Sequence, residues 1–140
     1  MTGDNLDIWT DSPVVRDYMS TEIVTFAPTD NCWTVIDTML KKQLFGCPVL
    51  VDGELVGMVS DKDLLKMMAK ASPLGLPKKR VSEVMSDPVV TIPPEMNVFT
   101  AASLFRHNIY RRLPVVEDGV LVGLISRSDL LRAMKDIGRL

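Results

Sequence analysis

Shifted by 66 positions, the chain aligns with itself. Residues 15–68 lie on 81–134 without a gap, with 20 identities in 54 positions. The best-matched stretch sets Pro48-Val49-Leu50-Val51-Asp52-Gly53 against Pro114-Val115-Val116-Glu117-Asp118-Gly119. A repeat of this length is one supersecondary unit, and it cannot bury its apolar face alone. The 140 residues therefore read as one domain built from two similar halves.

Each half has the same order. A short lead ends in Met19 or Met85. A β-rich stretch follows, Ile23-Val24-Thr25-Phe26 or Val89-Val90-Thr91-Ile92, and proline closes it at Pro28 or Pro93-Pro94. Next comes a helix with one apolar stripe, Cys32, Val35, Ile36 and Met39, or Val98, Ala101, Ala102 and Phe105, on a 3.6-residue period. Two apolar runs then flank Asp52-Gly53 or Asp118-Gly119, the signal of a type I′ hairpin. A second helix starts near Ser60 or Ser126 and carries Leu64-Leu65 or Leu130-Leu131. The unit is β-α-β-β-α, and the expected class is α+β, an α/β-type sandwich of two pseudo-symmetric repeats. The expected boundaries are a tail at 1–13, repeats at 14–68 and 81–136, and a linker at 69–80 that holds Ser72-Pro73, Gly75 and Pro77. Two units about a pseudo-two-fold axis would leave clefts between the halves, where ligands tend to sit.

Composition narrows the function classes. Apolar residues make 46% and charged residues 24%, an ordinary globular profile. No apolar run approaches 18 residues, and Met1 to Asp11 carries acids without a basic n-region, so neither a membrane span nor a signal peptide is expected. The net charge of −2 hides a split: residues 1–74 carry 6 basic and 11 acidic groups, residues 75–140 carry 10 basic and 7 acidic. Such a chain is a poor candidate for nucleic acid, but a local basic patch can hold one small anion. Cys32 and Cys47 lack metal-ligand spacing and read as reduced, buried thiols of a cytoplasmic protein. Leu6, Ile8 and Trp9 put apolar side chains in an acidic stretch, either packed or, for Met1 to Asn5, disordered. Met67, Met68 and Met134 lie on the second helices and suit core or dimer contacts.

Catalytic signals are weak. The one histidine, His107, falls off the apolar stripe and reads as a solvated residue. No Cys–His pair, HExxH, P-loop or GxSxG occurs, and Asp61 with Asp63 is a poor metal or acid–base signal. No enzyme activity and no required cofactor are expected. The strongest local feature is Gly57-Met58-Val59-Ser60-Asp61-Lys62-Asp63, repeated as Gly123-Leu124-Ile125-Ser126-Arg127-Ser128-Asp129. Ser-x-x-Asp before an apolar helix is close to a capping box, with Ser60 and Ser126 as N-caps. The same geometry at a cleft suits a polyhydroxylated anion: the carboxylate accepts from sugar hydroxyls, and the serine and free N–H groups hold phosphate. Arg111-Arg112 before Leu113-Pro114 is either surface charge or a phosphate clamp, and Tyr110 and Phe45 are either core or a stacking surface for a purine.

The twin Gly-h-h-Ser-x-x-Asp motifs, the twin Pro-Val-h-h-x-Asp-Gly hairpins and the twin h-Met-Ser leads resemble a pair of CBS (cystathionine β-synthase) domains, the tandem called a Bateman module. The resemblance covers residues 15–134. It implies a cytoplasmic regulatory module that binds adenosine nucleotides (AMP, ADP or ATP) in clefts between the repeats and pairs into homodimers through helix faces. Carried over by position, it implies a main cleft of Arg16, Ser20, Thr21, Leu44, Phe45, Arg111, Arg112, Leu124, Ser126 and Asp129, with Gly46 beside them. It implies a second, weaker cleft of Met58, Ser60, Asp63, Ser82, Ser86, Asp87 and Tyr110. In each, the aspartate takes the ribose hydroxyls. The main cleft is expected to gather Arg16, Arg111 and Arg112 with no acid but Asp129, whereas Asp61 and Asp87 surround Asp63 and disfavour phosphate there. Gly46 and Cys47 replace the larger residues common in the family. The regulated partner would be another chain, or the module would act as a free-standing sensor. The alternatives are a ligand-free interaction scaffold, an S-adenosylmethionine sensor and, last, hydrolysis of the bound nucleotide.

Overall fold

The hairpins form where the sequence puts their turns. Asp52 and Gly53 take φ of 49° and 81°, and Asp118 and Gly119 take 51° and 79°. Both positive values are what a type I′ turn demands, and aspartate followed by glycine meets that demand at low steric cost. Strand β1 (Gly46–Val51) thereby folds back on β2 (Glu54–Ser60), and β3 (Arg112–Glu117) on β4 (Val120–Ser126). Val51 pairs with Glu54 and Glu117 with Val120 at the turns, while Gly46 meets Ser60 and Arg112 meets Ser126 at the open ends. Each ladder slips once, after Val49 and after Val115, so both hairpins carry a bulge at the same place.

The computed structural model describes residues 12–77, 79–87, 90–107 and 111–138. The remaining elements are a 3-10 turn Val15–Asp17 and helices α1 (Cys32–Lys42), α2 (Asp61–Ala69), α3 (Val81–Val84), α4 (Val98–His107) and α5 (Arg127–Gly138). They divide into two units, one of residues 23–90 and one of residues 1–22 with 91–140. These units cut across the sequence repeat, because each lead sits with the hairpin of the other repeat.

In the unit of residues 23–90, Cys32, Val35 and Met39 of α1 pack with Cys47, Val49 and Val59 of the hairpin, Leu64 and Met67 of α2, and Val81. Asn31 caps α1 by accepting from the Trp33 amide at 2.8 Å. The lead 79–86 is laced to this core through backbone bonds: Cys32 N to Lys79 O at 3.0 Å, Val81 N to Asp30 O at 2.9 Å, and Ser86 N to Met58 O at 2.7 Å. In the other unit Ala101 and Phe105 of α4 pack with Leu113, Val115, Ile125, Ile92 and Val15. The lead 13–20 is laced in the same pattern: Val98 N to Pro13 O at 3.1 Å, Val15 N to Met96 O at 2.8 Å, and Ser20 N to Leu124 O at 2.8 Å.

Two expectations change. The stretch Ile23–Phe26 contributes one parallel bridge, Phe26 to Val49, and Ile92 contributes one to Val115. Among the described residues of these stretches only Phe26 and Ile92 are buried, and the prolines that follow offer no N–H to extend a ladder. Ala102 is exposed and Leu104 packs on the core instead, because the α4 stripe rotates toward its larger side chain. Met67 is in the core, while Met68 and Met134 are exposed. His107 is exposed as expected. Val89, Tyr110, Leu6, Ile8, Trp9 and Met1 to Asn5 lie outside the described residues.

Gly57 and Gly123 let the leads lie close. A Cβ on Gly57 would stand 2.7 Å from Met85 Sδ and 3.1 Å from Ser86 O, and one on Gly123 2.5 Å from Met19 Sδ and 3.0 Å from Ser20 O. Gly123→Ala is expected to cost about 1–3 kcal/mol through overpacking, read as a lowered urea midpoint with an unchanged m-value.

Candidate functional site

Each hairpin hands its last residue, a serine, to the first turn of a helix. At α2, Ser60 Oγ accepts from Asp63 N at 3.3 Å, and Asp63 Oδ2 accepts from Ser60 N at 2.9 Å and Ser60 Oγ at 3.0 Å. At α5, Ser126 Oγ accepts from Asp129 N at 3.2 Å, and Asp129 Oδ2 accepts from Ser126 N at 2.8 Å. Both capping boxes read from the motifs form. Each leaves a carboxylate beside the positive end of a helix dipole.

The other ligands of the two carboxylates differ. Asp63 is the buried one, with its side chain 6% exposed. The hydroxyl of Ser86, from the lead, donates to its Oδ1 at 3.2 Å, and Lys66 stands 3.7 Å away. Asp129 is 13% exposed and held by a cation: Arg132 Nη2 donates to its Oδ1 at 2.5 Å. The same amino group donates to the carbonyl of Tyr18 at 3.1 Å, and the guanidinium lies 6.0 Å from the Tyr18 ring centroid. Tyr18 hydroxyl in turn donates to Asp136 at 2.8 Å. That hydrogen bond, then burial and the charge of Asp136, pushes the phenol above its ordinary value.

The structure brings Ser20, Leu124, Ser126 and Asp129 into one unit, with Ser20 and Leu124 exchanging both backbone bonds. Thr21 is exposed. Arg112 faces Ser126 across the ladder, and Arg111 is the exposed residue before it. Leu44 and Phe45 belong to the unit that holds Asp63; Leu44 packs on its core, and Phe45 O accepts from Asp61 N at 3.1 Å. Met58 and Ser86 exchange backbone bonds beside Asp63. Ser82 and Asp87 are exposed, and the Ser82 amide donates to Pro28 O at 2.9 Å.

Arg16 needs correction. It does not stand apart from acids: its Nε donates to Glu95 at 2.8 Å and its Nη2 to Glu117 at 2.5 Å. Glu117 is the β3 residue beside the hairpin turn, while Arg112, opposite Ser126, begins that strand. Its partners are 79 and 101 residues distant, so no local pattern announces them. Arg132 was missed for another reason. The i,i+3 spacing from Asp129 was visible, and Lys66 repeats it from Asp63, but the pair is indistinguishable in sequence from an ordinary solvated helix pair. Among the described residues no group of three or more His, Cys, Asp or Glu is placed to hold a metal, and no helix is long and apolar enough to cross a membrane. Cys32 and Cys47 are buried outside any disulfide, and burial pushes the Cys32 thiol up.

Comparison with known proteins follows the same two repeats. The CBS domain family model matches residues 15–70 and 81–136. The CBS domain-containing protein YhcV of Bacillus subtilis is 33% identical, over 83% of this chain and 81% of its own. A crystal structure of CBSX2 in complex with AMP is 31% identical, with a TM-score of 0.77 over 90% of this chain and 98% of that one. Inosine-5′-monophosphate dehydrogenase of Thermoplasma acidophilum is 30% identical over 81% of this chain but only 22% of the enzyme.

Two measurements check the local chemistry. Ser126→Ala is expected to lower stability by about 1 kcal/mol through loss of the cap. An ultraviolet pH titration, differenced against Tyr18→Phe, is expected to show the Tyr18 phenol ionising above the ordinary value of about 10, and Asp136→Asn is expected to bring it down. Because the folded value is raised, any stability from this bond is present below the unfolded value and is lost as pH rises through the folded one.

Proposed function

The chain belongs to the CBS domain family, and we propose that it is a regulatory module that binds an adenosine nucleotide at the start of α5. The supporting observation is the likeness, over nearly the whole of both chains, to a protein whose structure was determined with AMP. In this reading Asp129 accepts the ribose hydroxyls and Ser126 contacts ribose or phosphate. Leu124 lies near the base, Ser20 and Thr21 face the site from the lead, and Arg111 and Arg112 supply positive charge toward phosphate. AMP, ADP and ATP are the candidate ligands, and no cofactor is required. Asp63, with Ser60, Met58, Ser82 and Asp87, forms the weaker site: its carboxylate already takes three donors from its own unit, and Asp61 adds like charge.

The module regulates rather than catalyses in this reading. The dehydrogenase relative carries the matched segment as a minor part of its length. The chain acts in the cytoplasm, where two thiols outside any disulfide are usual, and the chain it regulates is a separate one. It pairs as a homodimer through the helix faces that expose Leu65, Met68, Leu131 and Met134. A ligand shifts such a module between states only by binding one of them better.

A calorimetric panel of AMP, ADP, ATP and S-adenosylmethionine tests the reading. At 100 times its dissociation constant, a ligand is expected to add about 2.7 kcal/mol of stability. Asp129→Ala is expected to weaken binding at least tenfold, and more than Asp63→Ala. The reverse order moves the main site to Asp63. A protein that binds none of the four, and loses only stability in Asp129→Ala, is a scaffold.

A further inference from the structure

Arg132 is fixed at three points within its unit: the Asp129 carboxylate, the Tyr18 carbonyl and the Tyr18 ring. Its side chain is nonetheless 60% exposed. A guanidinium has five donors, and both of its hydrogen bonds run from Nη2. A positive charge is therefore held in place beside the carboxylate and still faces solvent. An aspartate alone would repel an approaching phosphate and attract a cation. Paired with Arg132, it offers hydrogen-bond acceptors without a net negative charge. Arg112 lies opposite Ser126 in the ladder, and Arg127 opens α5.

The equivalent place in the other unit is built differently. Lys66 stands 3.7 Å from Asp63 with its side chain 64% exposed. Val84 occupies the position of Tyr18, so the lead offers no ring at that position. Asp61 and Asp87 add negative charge. The anchored charge is a property of the Asp129 site.

We propose that Arg132 sets the charge selectivity of the Asp129 site, so that it takes adenosine ligands carrying phosphate and rejects cationic ones such as a sulfonium nucleoside. This rests on the reading of Asp129 as the ribose carboxylate. The charge acts across several ångströms of partly solvated space, where removing it shifts the preference between an anion and a cation about tenfold.

Isothermal titration of AMP, adenosine and S-adenosylmethionine into the wild type, Arg132→Met, Arg132→Glu and Arg132→Lys tests the proposal, with Lys135→Met, one turn further from Asp129 on α5, as the control for loss of a nearby charge. The AMP over S-adenosylmethionine preference is expected to fall about tenfold in Arg132→Met and further in Arg132→Glu. It is expected to persist in Arg132→Lys and Lys135→Met, while adenosine affinity changes less than threefold throughout. A purely structural role would weaken all three ligands together, and that result overturns the proposal. So does an unchanged preference in Arg132→Glu, which leaves the site reading intact. A wild type that binds none of the three removes the site reading and this inference together.

Discussion

The two backbone exchanges between a lead and a hairpin, Ser20 with Leu124 and Ser86 with Met58, are what the rest of the structure hangs on. Each needs the lead to lie directly over a strand, and only a residue without a side chain permits it. Met19 and Met85 fill the space above Gly123 and Gly57, and both sulfurs lie within 3 Å of where a Cβ would stand. Once the lead is down, Val15 or Val81 is delivered to a core and the segment before α4 or α1 is tied. The hydroxyl of Ser86 reaches Asp63, and the carbonyl of Tyr18 reaches Arg132. The motif glycine thus serves packing first, and through packing it composes the surroundings of the carboxylate.

What was legible in the sequence follows from range. The Asp-Gly turns, the Ser-x-x-Asp caps and most of the apolar stripes are local, and their chemistry is decided within four residues. The hairpins and capping boxes formed accordingly. The β-rich stretches were over-read: Ile23, Val24 and Thr25 have strand propensity, but no second partner lies along them, so tertiary context reduced them to the single bridge at Phe26. Ala102 lost its expected burial to Leu104 because period alone does not say which of two neighbouring rows is larger. The crossing of the leads has no local signature and entered through the family resemblance. The Arg16 partners have none either.

The two halves also show how duplication diverges. Both keep the serine and the aspartate, and both keep a cation three residues on. One carboxylate then drew in hydroxyls and was buried, and the other drew in an arginine and stayed more open. Burial with several neutral donors saturates the acceptor and favours stability. An exposed ion pair contributes little stability but leaves an acceptor and a charge in reach of solvent. The acidic first half and basic second half of the sequence carry the same division at a coarser scale.

The interleaving of leads also orders events in time. Residues 23–90 form an unbroken stretch, so every segment of that unit has been synthesised once residue 90 has emerged. The other unit is split, with its opening piece made first and the remainder, from residue 91 onward, made last. The first lead must therefore wait for the closing hairpin, its Met19 uncovered until Gly123 arrives. Residues 13–20 thus have the longest wait between synthesis and their partners in β4.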